Sequence, residues 1–192
     1  MKTKTKIACA MLFAAALFAA GPACAEPIKG WFISGSAPAN YEFGTERIVG
    51  TASSKSAFIA AKSAKPDGFG TLMQMILPDS YRGKRLRLSA RIKTANADHA
   101  QMWMRIDGPD QKMLGFDNMD SHPVTGTTDW KRYEVVLDVP DNSVAIAFGI
   151  FLNGAGKMWA DDFKLEPVGK NVAVTGSNAD LRKTPSNMDF DQ

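Results

Sequence analysis

Cysteine is almost missing from this chain. Only Cys9 and Cys24 occur, and both lie within the first 25 of 192 residues. Lys2, Lys4 and Lys6, the apolar run from Ile7 to Ala20 and the small residues Ala23-Cys24-Ala25 together have the form of a secretory signal peptide, with cleavage expected after Ala25. The apolar run is shorter than the roughly 20 residues a membrane-spanning helix needs. A lipid anchor on Cys24 would want an apolar residue three places upstream, where Gly21 stands. Cleavage would leave 167 of the 192 residues and neither cysteine. Disulfides, thiol catalysis and Cys-ligated metals are then excluded, although an exported compartment would tolerate disulfides.

Charge of one sign is also lacking. The formal +3 includes the three leader lysines; without them 20 basic residues face 20 acidic ones. No basic excess remains for a nucleic-acid partner. Histidine is scarce too: His99 and His122 are isolated, have no metal-ligand spacing and read as ordinary surface groups. The signatures Gly-x-Ser-x-Gly, His-Glu-x-x-His, Gly-x-Gly-x-x-Gly and the P-loop are all absent. Nothing repeats at a period of 20–50 residues, which argues against a solenoid or propeller. No later apolar stretch has the length of a membrane-spanning helix. The expectation is a product without a membrane span, periplasmic or secreted.

What is present is strand chemistry. Leu86, Leu88, Ala90 and Ile92 alternate with Arg85, Arg87, Ser89, Arg91 and Lys93, as in a half-buried antiparallel strand. Met102, Met104 and Ile106 alternate in the same way with Trp103, Arg105 and Asp107. Tyr133–Val139 and Val144–Leu152 are β-branched and aromatic and read as more deeply buried strands. Further strands are expected at Trp31–Ser34, Tyr41–Ile48, Ala57–Ala60, Phe69–Leu77, Met113–Asn118 and Lys157–Leu165. Turn-forming clusters separate them, among them Lys65-Pro66-Asp67-Gly68, Asp107-Gly108-Pro109-Asp110 and Asn153-Gly154-Ala155-Gly156. No long stretch holds a 3.6-residue apolar period. The pattern predicts an all-β, two-sheet antiparallel β-sandwich over residues 26–167. Residues 168–192 are expected to form a polar extension.

Four motifs occur in order: Gly30-Trp31-Phe32, Tyr81-Arg82-Gly83-Lys84-Arg85-Leu86, Thr128-Asp129-Trp130-Lys131-Arg132-Tyr133 and Gly156-Lys157-Met158-Trp159-Ala160-Asp161-Asp162-Phe163. Their succession resembles the galactose-binding-like jelly-roll superfamily, which includes many carbohydrate-binding modules. More closely it resembles an uncharacterised jelly-roll domain found alone or attached to AraC-type regulators. The resemblance spans residues 30–166 and implies the fold more strongly than any activity. No DNA-binding helix pair is evident, so it implies no regulator function here. These motif residues read mostly as scaffold. The resemblance also implies a structural calcium (Ca2+), with Asp162 the candidate ligand; the alternative is that Asp161 and Asp162 bond a neighbouring loop.

The best candidate surface is the polar face of the Gln101–Asp107 strand. Trp103 offers a ring for the apolar face of a sugar, and Arg105 and Asp107 offer hydrogen bonds to hydroxyls. Gln74, Asp117 and Asn118 are candidate partners from neighbouring strands. A plain surface strand with an Arg105–Asp107 ion pair and a half-buried Trp103 is the alternative. The leading expectation is an exported, monomeric domain that binds a small polar ligand, a saccharide above all, on its concave sheet. An enzyme using Asp107, Asp117 or His122 as acid or base is the runner-up, and a structural envelope module the third reading. At the C-terminus, Asn187 to Phe190 is expected to dock as an edge strand, with Met188 and Phe190 inward, or to exchange into a second copy.

Overall fold

The computed structural model describes residues 28–48 and 55–176. The expected leader (1–25) and C-terminal strand (187–190) lie outside them. Nine strands run in chain order: β1 Phe32–Ser34, β2 Tyr41–Glu46, β3 Ser56–Ala61, β4 Phe69–Ile76, β5 Arg85–Asp107, β6 Met113–Asp117, β7 Val124–Asp138, β8 Ala145–Asn153 and β9 Lys157–Val168. Two 3-10 turns, Pro38–Asn40 and Pro109–Gln111, are the only helical turns among the described residues. All pairings between strands are antiparallel. The architecture is a jelly-roll sandwich.

One layer is ordered β2-β3-β9-β5-β7 and the other β1-β4-β8-β5-β6. β5 appears in both because it is a single strand of 23 residues. Its first half, Arg85–Ala95, pairs with β9, and its second half, His99–Asp107, pairs with β8. The two strands expected at 84–93 and 101–107 are therefore one. Its register against β7 slips three times between Ile92 and Ala100, and Asn96 occupies the left-handed region at φ 49°. Such bulges bend a strand without ending it. Asn96, Asp98 and His99 interrupt the apolar alternation, so the sequence there suggests a loop; backbone pairing supplies the continuity.

The core fills the space between the layers. Leu86, Leu88, Ala90 and Ile92 from the first half of β5 meet Met102, Met104 and Ile106 from the second, together with Ile59, Leu72, Val135, Ile146, Ile150, Leu152 and Met158. The Tyr41 hydroxyl donates to the Gly68 carbonyl at 2.6 Å and accepts from the Gly154 N–H at 3.1 Å. One buried phenol thus ties two loops to one end of the sandwich, and burial raises its pKa. Trp31 closes the edge against Phe148 and Phe163. After β9 the chain returns beside β7, where the Thr175 N–H donates to the Val136 carbonyl and its hydroxyl accepts from the Val136 N–H.

Candidate functional site

Strand periodicity builds a trough on the open face of the β1-β4-β8-β5-β6 layer. Residues directly opposite one another on paired strands share a face, so the registers assign its rungs. Phe32, Met73, Gly149 and Trp103 form one rung across β1, β4, β8 and β5. Met75, Ala147, Arg105 and Phe116 form the next. On the other side come Ser34, Thr71, Phe151 and Gln101, and then Phe69 and Asn153. In the Trp103 and Arg105 rungs the central strand β8 contributes only Gly149 and Ala147, while its neighbours carry large side chains. That contrast hollows the sheet. A Cβ on Gly149 would lie 2.2 Å from the Leu72 carbonyl oxygen, so glycine is required for β4 to approach this closely. The resulting trough has a volume of about 830 Å³.

Its floor is apolar. Met73, Trp103 and Ala147 are buried together, with Phe116 and Phe151 packed on them. The Trp103 indole N–H donates to the Thr71 hydroxyl at 3.0 Å, and that hydroxyl donates to the Ile150 carbonyl at 2.8 Å. Trp103 is only 8% exposed, whereas Phe32 and Met75 are 45% and 50% exposed. Phe69 and Phe151 meet edge to face with centroids 5.5 Å apart. The polar lining combines the amides Gln101, Asn118 and Asn153 with the hydroxyls of Ser34, Ser36 and Thr71 and the charged Arg105 and Asp120. Gln101 donates its Nε2 to the Asn118 carbonyl at 2.8 Å, and Asn118 accepts the Asp120 N–H through Oδ1.

Arg105 stands at one end. It donates Nε and Nη2 to the two carboxylate oxygens of Asp107 at 2.8 and 3.0 Å. Asp107 itself lies outside the trough and lines the adjoining cavity of about 600 Å³ formed with Pro109, Met113 and Val144.

The structure thus gathers Trp103, Arg105 and Asn118 around one trough and places Asp107 immediately behind Arg105. Two other residues do not join them. Gln74 stands opposite Phe148 on the inward face of β4, because it shares parity with Leu72 and Ile76 rather than with Met73 and Met75. Asp117 stands opposite Met104 on the inward face of β6 and is 7% exposed. Its Oδ1 accepts the Met119 N–H at 2.8 Å, while its Oδ2 has no partner among the described residues. One position in a strand separated these side chains from the trough. His122 is exposed beside the Ser121 hydroxyl and is not part of the lining. His99 stands opposite Asn153, also exposed, at the trough's outer end.

Calcium does not fit at Asp162. Its carboxylate is paired with the Arg132 guanidinium, with the Lys164 ammonium 3.9 Å away, and two cations are the wrong company for a hard metal ion. No group of three or more carboxylate, imidazole or thiol ligands able to hold a metal occurs among the described residues. Asp161 instead accepts from the Ser56 hydroxyl at 3.1 Å and from the Asp162 N–H at 2.7 Å.

Phe32, Phe69, Met73, Met75, Phe116 and Phe151 were not expected in the site. A signal existed. Phe69-Gly70-Thr71-Leu72-Met73-Gln74-Met75-Ile76 is apolar on both alternating faces, which is odd for a strand with one face in water.

No protein-family model matches the chain. It is 41% identical over 169 residues to an uncharacterized HTH-type transcriptional regulator, YbfP, of Bacillus subtilis strain 168, a match that covers 86% of this chain and 57% of that protein. The chain therefore spans little more than half the length of this relative. Solved structures of similar shape include the C-terminal family 22 carbohydrate binding module of Clostridium thermocellum Xyn10B (TM-score 0.54, 11% identity, covering 74% of this chain and 88% of that one). The CBM22-1 xylan-binding domain of Paenibacillus barcinonensis Xyn10C is similar too (TM-score 0.53, 10% identity, 72% and 86% covered). So is the enzymatically active domain of bacteriophage CBA120 tailspike protein 4 (TM-score 0.59, 15% identity, 74% and 20% covered). At such identities the likeness establishes the jelly-roll fold alone.

Proposed function

We propose that this chain binds a saccharide in the trough of the β1-β4-β8-β5-β6 layer, and that it does so outside the cytoplasm, with residues 1–25 directing export. One observation carries the reading: a hollow over Gly149 and Ala147 bordered by phenylalanine rings, with amides, hydroxyls, one guanidinium and one carboxylate at its margins. Rings cover the C–H faces of a sugar, while amides and guanidinium bond its hydroxyls. Trp103 is part of the buried floor, and Phe32, Phe69 and Phe151 take the stacking role. The carbohydrate-binding modules of similar shape lend support by fold only. Binding also asks less of this surface than catalysis would: Asp107 is engaged by Arg105, Asp117 faces inward and His122 stands outside the lining.

A glycan array holding neutral and acidic oligosaccharides, followed by titration calorimetry on the best ligands, tests the proposal. Saturable binding that Phe151→Ala weakens about three- to tenfold is the expected result. The proposal fails if no oligosaccharide binds, or if Phe151→Ala, Phe32→Ala and Phe69→Ala all bind like the parent.

A further inference from the structure

Building on the saccharide reading, we infer that the trough selects a carboxylated saccharide, a chain bearing a uronic acid, whose carboxylate docks on Arg105. Among the described residues, two charged side chains line the trough, Arg105 and Asp120. They stand apart. Arg105 shares a rung with Phe116, whereas Asp120 lies beyond Asn118, further along the chain that leaves β6. A ligand therefore meets one positive and one negative margin, and the positive one is built with more support.

That support is Asp107. It holds the guanidinium through two parallel bonds on its Nε–Nη2 edge, and such bidentate pairs fix a guanidinium plane. Arg105 lines both the trough and the adjoining cavity, whereas Asp107 lines the cavity alone, so of the two it is the guanidinium that a ligand in the trough meets. The Nη1 donors are not engaged by Asp107 and remain for an incoming acceptor. Phe116, Ala147 and Met75 share the rung of Arg105, and its side chain, 38% exposed, remains open to a ligand on the apolar side of the trough. Apolar neighbours strengthen a charge-assisted bond relative to bulk water. A hydroxyl could accept the same N–H groups, but a carboxylate gains the charge as well as the planar geometry. A lysine in this place would offer a point charge without the fixed plane.

The experiment compares two oligosaccharides of identical backbone and length, one neutral and one carrying a glucuronate-type carboxylate, by calorimetry on the parent chain at about 0.05 M and about 0.5 M salt. The carboxylated ligand should bind about tenfold tighter at low salt, and the ratio should shrink at high salt. Arg105→Gln, checked for an unchanged melting temperature, should bring the ratio close to one; Arg105→Lys should keep part of it. Equal affinity of the parent for both ligands, or preference for the neutral one, would overturn the inference and leave the saccharide reading standing. So would a ratio unchanged in Arg105→Gln. If neither ligand binds and the array is empty as well, both readings fall together. Should Arg105→Gln fold poorly, the salt dependence of the parent's ratio decides: a ratio that ignores salt overturns the assignment.

Discussion

The two outer faces of the sandwich solve different problems with the same strand. On its first half, β5 points Arg85, Arg87, Arg91 and Lys93 outward, and neighbouring strands answer with acids. Arg85 grips Asp138 through two 2.9 Å bonds, Arg87 meets Glu166 at 2.7 Å and Lys93 meets Asp129 at 2.8 Å. The Lys157 ammonium sits 4.1 Å from the Phe58 ring centre and 2.9 Å from Glu46. Burial works against ionisation of Glu46, but its bonds from Lys157 and Trp159 outweigh that and hold its pKa below the ordinary value. On its second half, beyond the bend at Asn96, β5 points Gln101, Trp103 and Arg105 outward into a trough of rings and amides. The charged face spends its polar groups on neighbouring strands. The trough leaves apolar area and donors uncommitted, which is what a ligand-binding surface needs.

Substitutions can break this contrast in order of severity. Trp103→Ala should cost about 3–5 kcal/mol, since it empties a buried floor position; denaturant unfolding measures this, and a midpoint equal to the parent's would mean the ring is not part of the floor. Gly149→Val should cost about 1–3 kcal/mol by forcing β4 away from β8, and it should fill the trough. A stable Gly149→Val variant with undiminished ligand binding would place the site elsewhere.

On the charged face the effects are smaller and depend on pH. Bonds from Arg85, opposed by partial burial and aided by Lys170, lower the Asp138 carboxyl from 3.8 to about 2. A folded-state value below the unfolded one stabilises the fold above the unfolded pKa, so the contribution is complete above about pH 4 and disappears as pH falls through about 2. Asp138 is 45% exposed, and solvent screening limits the contribution to about 0.5–1 kcal/mol. Asp138→Asn should remove that share of the acid sensitivity in the window between pH 4 and 2, as followed by thermal melts; an identical acid profile would show the pair to be idle. Smallest of all, Phe32→Ala should change stability by no more than about 0.5 kcal/mol, because the residue is 45% exposed at the end of a three-residue edge strand. Its effect should appear in ligand affinity instead, and a large loss of stability would mark the ring as part of the fold.

How much of this was legible beforehand follows from strand geometry. Alternation of period two assigned Leu86, Leu88, Ala90 and Ile92 to the core and the intervening cations to the outside. It also placed Trp103 and Arg105 on one face. Gln74 and Asp117 had to be assigned by neighbourhood alone, and each falls on the inward parity. Nothing local marks which face of a doubly apolar strand such as β4 is covered, so Phe69, Met73 and Met75 stayed hidden.

By itself, the sequence determined the all-β class, the alternating faces and most strand positions, because side-chain direction and turn chemistry are local properties of the chain. Tertiary structure alone decided that β5 serves both layers, since the bulges near Asn96 are maintained by pairing with β7 across many residues. It alone decided the trough as well. A hollow over Gly149 and Ala147 exists only because β4 and β5 flank β8 in register, and register is set by packing between strands far apart in the chain.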